Sequence, residues 1–407
     1  MTSPLSRPTV LESLSNGATA VYVAAAFALF FDVVALAGFN QSWERAVVLL
    51  VGCIGLASVR ARLAHSGKTM VVVFAAVAIA LFALRTAGLS NAIREQRQPT
   101  IDVGATTIAA VDAQADGRNP YRELLDPLGR SVDPDGSGSR FFGGYKYGPA
   151  MIWTFFPAVR GLGTGGLFLV NWLALLSVAL IAAAWAHSAT GAVGAGAAAA
   201  LVLAPRFLDV ELFVAGVTDL VPVAFGVAGL ALAAREREVP AGVLVGLSIA
   251  TKLLPGLLLA VALLAAARRP LRMIAVIAVT AVGLHVPHLI TAPREIFANL
   301  VMFNLARPIH ETSPLAALPP GWADAAVQVS LLVAVALPLL MLQRGDSSDT
   351  GRLAMVIMLM LAIFLLGGKT LNRNYFLWIV TPAAVTVAAK LGRSSSSQRL
   401  PEDAAAT

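Results

Sequence analysis

Charge is scarce in this chain: only 13% of its 407 residues are Asp, Glu, Lys or Arg, and it holds five histidines and one cysteine. That cysteine, Cys53, lies inside an apolar run, so no intrachain disulfide can form and thiol-based metal chemistry is not expected. The first residues carry no basic n-region and no small-residue cleavage site, and Asp32 interrupts the first apolar run. That run is therefore expected to be retained as a helix rather than removed as a signal peptide. What the chain has in quantity is hydrocarbon. Hydrophobic residues make up 57% of it and recur in long runs, which excludes a soluble globular protein and predicts an all-α, polytopic integral membrane protein. The formal net charge of +7 gives no reason to expect nucleic acid, because Lys and Arg sit in short loops beside apolar runs, as the positive-inside rule requires.

A spanning helix needs about 20 apolar residues. Candidate spans are 18–36, 46–59, 69–84, 163–186, 192–204, 216–234, 241–251 with 253–267, 273–290, 325–342, 353–366 and 375–389. Placing the basic loops 60–68, 235–238, 268–272, 344–352 and 390–399 in the cytoplasm closes the parity on two conditions. Residues 149–159 must form a half-helix on the outer face. Residues 241–267 must form a hairpin broken at Lys252-Leu253-Leu254-Pro255, since proline breaks the helix and a lysine in hydrocarbon costs several kcal/mol unless it faces a wet cavity. The rival is one tilted span of 27 residues, which would export Arg268, Arg269 and Arg272. The hairpin gives about a dozen crossings, with both termini cytoplasmic. The chain then divides into N-terminal transmembrane helices (1–84), a long extracytoplasmic loop with its half-helix (85–161), a transmembrane core (162–392) and a polar tail (393–407) expected to be disordered. The outer face collects 85–148, 205–215, Lys252, 291–324 and 367–374, and with them nearly every ionisable residue that the positive-inside rule leaves unexplained.

Asp102 follows the third run, and Gly117-Arg118-Asn119-Pro120-Tyr121 turns the loop back toward the bilayer. Asp102 is a candidate general base, or the N-cap of the helix after it; Asp112 and Asp116 read as solvated. Lys252, at outer-leaflet depth, needs an anion: a lipid phosphate, or a salt bridge to Asp219 or Glu211. Arg373 and Lys369 are second phosphate candidates, or a snorkelling pair. Asp209, Glu211 and Asp219 either orient sugar hydroxyls or pair with Arg206 and Lys252; pairing is expected for Asp209 and Glu211, while Asp219, inside a span, needs a partner. His285 and His288 lack a full metal set and read as polar lining. His310, next to Glu311, reads equally as an acceptor contact or a plain loop residue. Asp133–Gly138 lacks the closing Glu of a calcium loop and reads as a flexible turn. Tyr121, Tyr145, Tyr147 and Trp153 read as interfacial aromatics, of a kind that also stacks on sugar faces.

Four blocks, in order, resemble the polyprenyl-phosphate-sugar-dependent membrane glycosyltransferases of the C superfamily, specifically glycosyltransferase family 87. They are Asp102 with Gly117–Tyr121; Tyr145-Lys146-Tyr147-Gly148-Pro149 with Phe156-Pro157; Ala250-Thr251-Lys252-Leu253-Leu254-Pro255; and Asn374-Tyr375-Phe376-Leu377. The chain departs from the family in having Gly216-Val217-Thr218-Asp219 where a Gly-Gln pair is frequent, and in two extra N-terminal spans. The resemblance implies an inverting transfer of a hexose, mannose above all, from a polyprenyl-phosphate donor to a lipid-linked or cell-envelope glycan acceptor. Asp102 would be the catalytic base. Lys252, Arg373, Lys369, Asp219, Asn119, Tyr121, Tyr147, His288 and His310 would contact substrate. No cofactor or metal is implied; the partners are the donor, the acceptor and membrane lipids. The rival function is a polytopic secondary transporter or lipid flippase, since intramembrane charges also mark ion pathways, but the repeated halves of such proteins are not visible.

Overall fold

The computed structural model describes residues 10–36, 48–54, 67–125 and 143–396, and among them the regular structure is entirely helical. In chain order the helices are α1 (Val10–Leu36), α2 (48–54), α3 (Gly67–Arg94), α4 (Asp102–Ala115), α5 (Pro149–Leu162), α6 (Thr164–Leu203), α7 (Phe207–Val210), α8 (Leu220–Ala233), α9 (Glu238–Thr251), α10 (Leu253–Ala266), α11 (Pro270–Thr291), α12 (Pro293–Phe297), α13 (Phe303–Ala306), α14 (Pro320–Met341), α15 (Thr350–Leu366) and α16 (Phe376–Ser396). Two π-helical turns, Glu211–Ala215 and Ala298–Met302, follow α7 and α12. Five described stretches are long and apolar enough to cross a membrane: Met70–Arg94, Thr164–Leu203, Pro270–Thr291, Gly321–Met341 and Arg373–Leu391. A dozen crossings would need the shorter apolar helices, such as Leu220–Ala233 and Thr350–Leu366, to cross as well.

Hydrophobic residues on every side of a helix belong in a core or in lipid. Both cases occur. The central helix α16 is buried over nearly its whole length, with Ala383, Ala384 and Ala388 letting neighbours approach closely. By contrast α14 is more apolar still but little buried, with Leu332 and Leu340 on its surface.

Two breaks turn the chain back on itself. Helix α6 has 40 residues and would run about 60 Å if straight, twice the hydrocarbon thickness. At Gly191, however, φ is 67°, a left-handed value that glycine adopts without penalty. Before it, Gly165 lies beside Ile93 and the Trp172 indole donates to Thr86 at 3.2 Å; after it, Gly196 lies beside Phe74 and the Leu203 carbonyl meets Arg85 at 2.9 Å. The first arm thus runs against α3 and the second alongside it. The same logic applies to α9 and α10, 14 residues each. Lys252 between them is extended (φ −145°, ψ 110°), and their far ends meet. Arg268 pairs with Glu236 at 2.7 Å, and Glu238 accepts the backbone N–H groups of Arg268 and Arg269, both at 3.2 Å. The hairpin, not a single 27-residue helix, is what the chain forms.

That closure gathers the loops at two opposite ends. One end holds 184–191, 235–238, 267–272 and 343–352, tied by Arg235 to the Ala184 carbonyl (2.7 Å), Gly345 to Ala266 (2.9 Å) and Arg352 to Asp346 (3.0 Å). The other holds α4, 143–148, 204–219, the Lys252 break, 292–319 and 367–375.

Three expectations need correction. Residues 85–94 are not loop but the last turns of α3. Arg85 is buried there, paired with Asp209 and donating to the carbonyls of Leu203, the last residue of α6, and of Pro205 just beyond it, which satisfies a group a helix C-terminus leaves open. Asp209 therefore does not pair with Arg206. Helix α16 runs through Ser396, into the segment expected to be irregular from Arg393. Asp133–Gly138 and the rest of the tail lie outside the described residues.

The two halves of the site end are fastened at Gly148. Its N–H donates to the Thr251 carbonyl at 3.0 Å, and a Cβ there would stand 1.9 Å from the Ala250 carbonyl oxygen. Gly148→Ala should push the 145–149 segment off the Lys252 break and cost about 1–3 kcal/mol. The melting temperature in detergent should fall clearly, whereas Gly161→Ala, whose Cβ meets open space, should leave it unchanged. Equal melting of the two variants would refute the contact.

Candidate active site

Asp102 reaches the site through backbone contacts. The Ile101 N–H donates to the Ala215 carbonyl at 3.4 Å, and Thr100 Oγ1 to that of Val214 at 3.4 Å. Gly104 crosses so close to Gly216 that a Cβ would sit 2.3 Å from its carbonyl oxygen. These contacts seat the first turn of α4 on the end of the Glu211–Ala215 turn and on Gly216 after it. Ile101 occupies the N-cap position, and Asp102, the first helical residue, makes no capping bond. Its carboxylate is exposed to the cavity instead.

The Gly117–Tyr121 turn holds the next lining segment in place. The Tyr121 N–H donates to Asn119 Oδ1 at 3.0 Å, as turn asparagines accept, while Asn119 Nδ2 donates to Thr291 at 2.8 Å. The Tyr121 hydroxyl donates to the Tyr147 carbonyl at 2.8 Å, and Tyr145 N–H to that of Pro120 at 3.1 Å. The His288 ring packs edge-on against Tyr121, centroids 5.3 Å apart. Asn119, Tyr121 and His288 thus stand behind the cavity wall, and what they position is Tyr147. Burial, chiefly, and then the charges of Asp102 and Asp219 push the Tyr147 phenol well above its ordinary value, so it stays a hydrogen-bond donor.

Lys252 is held from behind. Asp219, only 1% exposed, accepts from the Lys252 ammonium, from Trp378 Nε1 at 2.9 Å and from Asn374 Nδ2 at 3.0 Å. Both carboxylate oxygens are satisfied, so Asp219 is a positioning residue rather than a substrate contact. The ammonium also lies 5.6 Å from the Tyr147 ring centre and 5.2 Å from that of Tyr375, where ring quadrupoles favour a cation. Glu211 pairs not with Lys252 but with Arg373, at 3.2 Å. Asp219 had already taken the lysine.

These pieces enclose a cavity of about 430 Å³. Asp102, Tyr147, Lys252 and Arg373 line it, as do Glu211, Lys146, Arg307, Asn304 and Thr312. Four cations thus face two carboxylates, a balance suited to an anion. Lys146, Tyr147, Lys252, Asn304, Arg307 and Tyr375 also line a second, apolar cavity of about 250 Å³, walled by Leu253, Leu254 and Pro255 of α10, Val327 and Leu331 of α14, and Leu361 and Phe364 of α15. Lys369 lines this groove and donates to the Leu305 carbonyl at 2.7 Å. His310 lines neither cavity; its backbone N–H donates to the Lys369 carbonyl at 2.9 Å, and it is its neighbour Thr312 that reaches the first cavity. Lys146 and Arg307 drew no role from the sequence. The signal was present, because both are cations outside the basic loops, the criterion that singled out Lys252. Among the described residues, no group of three or more His, Cys, Asp or Glu side chains surrounds a common point.

Fold and site together define a helical membrane protein with a cationic cavity that opens into a hydrocarbon groove. No family model and no curated protein matches the chain. Its fold does resemble the crystal structure of ArnT from Cupriavidus metallidurans bound to undecaprenyl phosphate, with a TM-score of 0.51 at 17% identity over 79% of this chain and 60% of that one. The apo structure of the same protein gives 0.41 at 15% identity over 80% of this chain and 76% of that one. The likeness is one of fold, and the chain spans 60% of the length of the lipid-bound ArnT chain it matches.

Removing one partner of a buried ion pair leaves an uncompensated charge. Asp219→Ala should therefore destabilise by about 3–5 kcal/mol, and Asp219→Leu with Lys252→Met should recover most of the loss. Thermal unfolding of the purified variants checks both, and an Asp219→Ala protein as stable as the parent would mean that water, not Asp219, solvates Lys252.

Proposed function

We propose that the chain is a membrane glycosyltransferase of the C superfamily, akin to family 87. It would transfer a hexose, with mannose the foremost candidate, from a polyprenyl-phosphate donor to a lipid-linked or cell-envelope glycan acceptor. The observation that carries this reading is the continuity of the two cavities. A carboxylate with no bond of its own faces four cations, and the cation side opens into a groove of aliphatic side chains. A molecule matching both parts has an anionic head on a long hydrocarbon tail. The shared fold supports the same class, since ArnT holds undecaprenyl phosphate in its solved structure.

In this mechanism Lys252, Arg373, Lys146 and Arg307 hold the donor phosphate, and Lys369 stands at the rim of the groove. Asp102 takes the proton from an acceptor hydroxyl. The oxygen attacks the anomeric carbon from the face opposite the phosphate, the carbon–oxygen bond to phosphate breaks, and configuration inverts. The departing phosphate is a weak base whose charge the cations already balance, so no acid need protonate it. The acceptor approaches along Asp102, Asn304, Thr312 and Asn372, which supply hydrogen-bonding groups on the polar side. No cofactor enters this scheme.

The basic loops at the opposite end support a site on the extracytoplasmic side of the cell membrane with both termini cytoplasmic. Helix α1 brings Asp32 and Ala35 to the site end, and α16 leaves it at Phe376.

Asp102→Asn should leave expression and melting intact and lower sugar transfer by about 10²-fold or more. Incubation of purified protein with a panel of radiolabelled polyprenyl-phosphate sugars and membrane lipids, followed by mass spectrometry of the product, reads this and identifies donor and acceptor together. Full activity in the variant removes Asp102 from the mechanism. For sidedness, single cysteines at 102 and 268 in a Cys53→Ser background should label from opposite faces of the membrane; labelling from one face would overturn the topology.

A further inference from the structure

Glu211 lines the cavity, yet nothing in the transfer step uses it. The Glu211–Ala215 π-helical turn projects its side chain inward until only 4% remains exposed. Its Oε1 stands 3.2 Å from Arg373 Nε, off the angle of a hydrogen bond, and makes no hydrogen bond with any other group. The other charged groups around it are committed elsewhere: Lys252 to Asp219, Arg85 to Asp209 and Arg97 to Glu95 at 2.8 Å. Asp32 accepts the Phe207 N–H at 2.8 Å. Lys146 and Arg307 flank the Phe303 ring, and Asp102 lines the same cavity. Arg373 is the cation that Glu211 neutralises, and Arg373, 43% exposed, is also a cation an incoming phosphate meets.

We propose that Glu211 is a proton-coupled counterion: it neutralises Arg373 when no anion is bound, and takes up one proton from solvent when a phosphodiester engages that guanidinium. The inference rests on the reading of the cavity as a lipid-phosphate site and deepens it. Arg373 exchanges one anion for another, and without a proton the buried carboxylate would be left beside a second negative charge. No bond other than that O–H forms.

The chemistry of the carboxyl agrees. Burial, first, and Asp219, to a lesser degree, raise it against the opposing effect of Arg373, to about 7. A phosphodiester alongside raises it further, so the complex binds more protons than the free protein above pH 7. By linkage, affinity is then constant on the acid side and weakens by up to about tenfold per pH unit on the alkaline side.

The probe is the methyl diester of a polyprenyl phosphate, whose single charge does not change between pH 6 and 8.5, bound to the purified full chain in detergent. Wild-type Kd should stay flat up to about pH 7 and rise about tenfold over the next unit or so. Calorimetry in buffers of different ionisation enthalpy should count an uptake approaching one proton at pH 8. Glu211→Gln should bind with no pH slope and no proton uptake. A flat wild-type profile, or a slope that survives in Glu211→Gln, overturns the proposal and leaves the lipid-phosphate site standing. Absence of diester binding at every pH overturns both. The wild-type proton count needs no variant, so it decides the matter even where Glu211→Gln misfolds.

Discussion

The Asp219–Lys252 pair is the constraint on which the rest of the site end depends. A lysine inside an apolar run is costly unless an anion meets it, and Asp219 does so from beneath, braced by Trp378 and Asn374. That one carboxylate joins the break between α9 and α10 to the cap of α8 and to the start of α16. Three separately folded stretches therefore share one electrostatic knot. Because the aspartate is saturated, the remaining ammonium surface faces Tyr147, Tyr375 and the two cavities.

A second layer is steric. Gly148 and Gly104 each lie against a carbonyl oxygen closer than any side chain permits. They lock the two loop segments, one carrying Lys146 and Tyr147 and the other Asp102, onto the helical frame. Backbone contact of this kind fixes the position of a side chain without consuming its polar atoms, and Asp102 keeps its carboxylate free for that reason.

Much of the frame was legible because it follows from periodicity and cost. The run through Lys252-Leu253-Leu254-Pro255 was expected to break, and basic loops on both sides of it favoured a hairpin over one tilted span; break and hairpin are both in the fold. The convergence of Asp102 and Lys252 on one cavity could be argued from where the charges fell. Side-chain partnerships were another matter. Asp209 and Glu211 were expected to pair with Arg206 and Lys252 as charges gathered at one face, whereas their partners are Arg85 and Arg373, more than 120 residues away. Arg85 itself looked like the start of a loop because a charge there ends an apolar run, and nothing local announces that it closes the end of another helix. Asn119, Tyr121 and His288 have the chemistry of sugar contacts, but Asn119 is spent on the Tyr121 N–H and Thr291, the Tyr121 hydroxyl on the Tyr147 carbonyl, and the His288 ring packs against Tyr121. Hydrogen-bonding capacity can be read from residue type; whether it is already used is a tertiary property.

The division of labour between membrane and loop has its own logic. On the proposed function, Lys252 at the break between α9 and α10 and Arg373 in the turn before α16 would meet the donor phosphate, and its chain would follow the groove between α10, α14 and α15. Asp102, the base in that reading, is the first residue of α4 and lines the polar side of the cavity with Asn304 and Thr312, where an acceptor hydroxyl would approach. Lys146 and Arg307 stand at the seam between the two cavities, and this makes them the residues through which a head group and its chain would be held in register. In that reading one buried carboxylate, Glu211, balances Arg373, while Asp102 in the same cavity keeps a basic oxygen free for the acceptor.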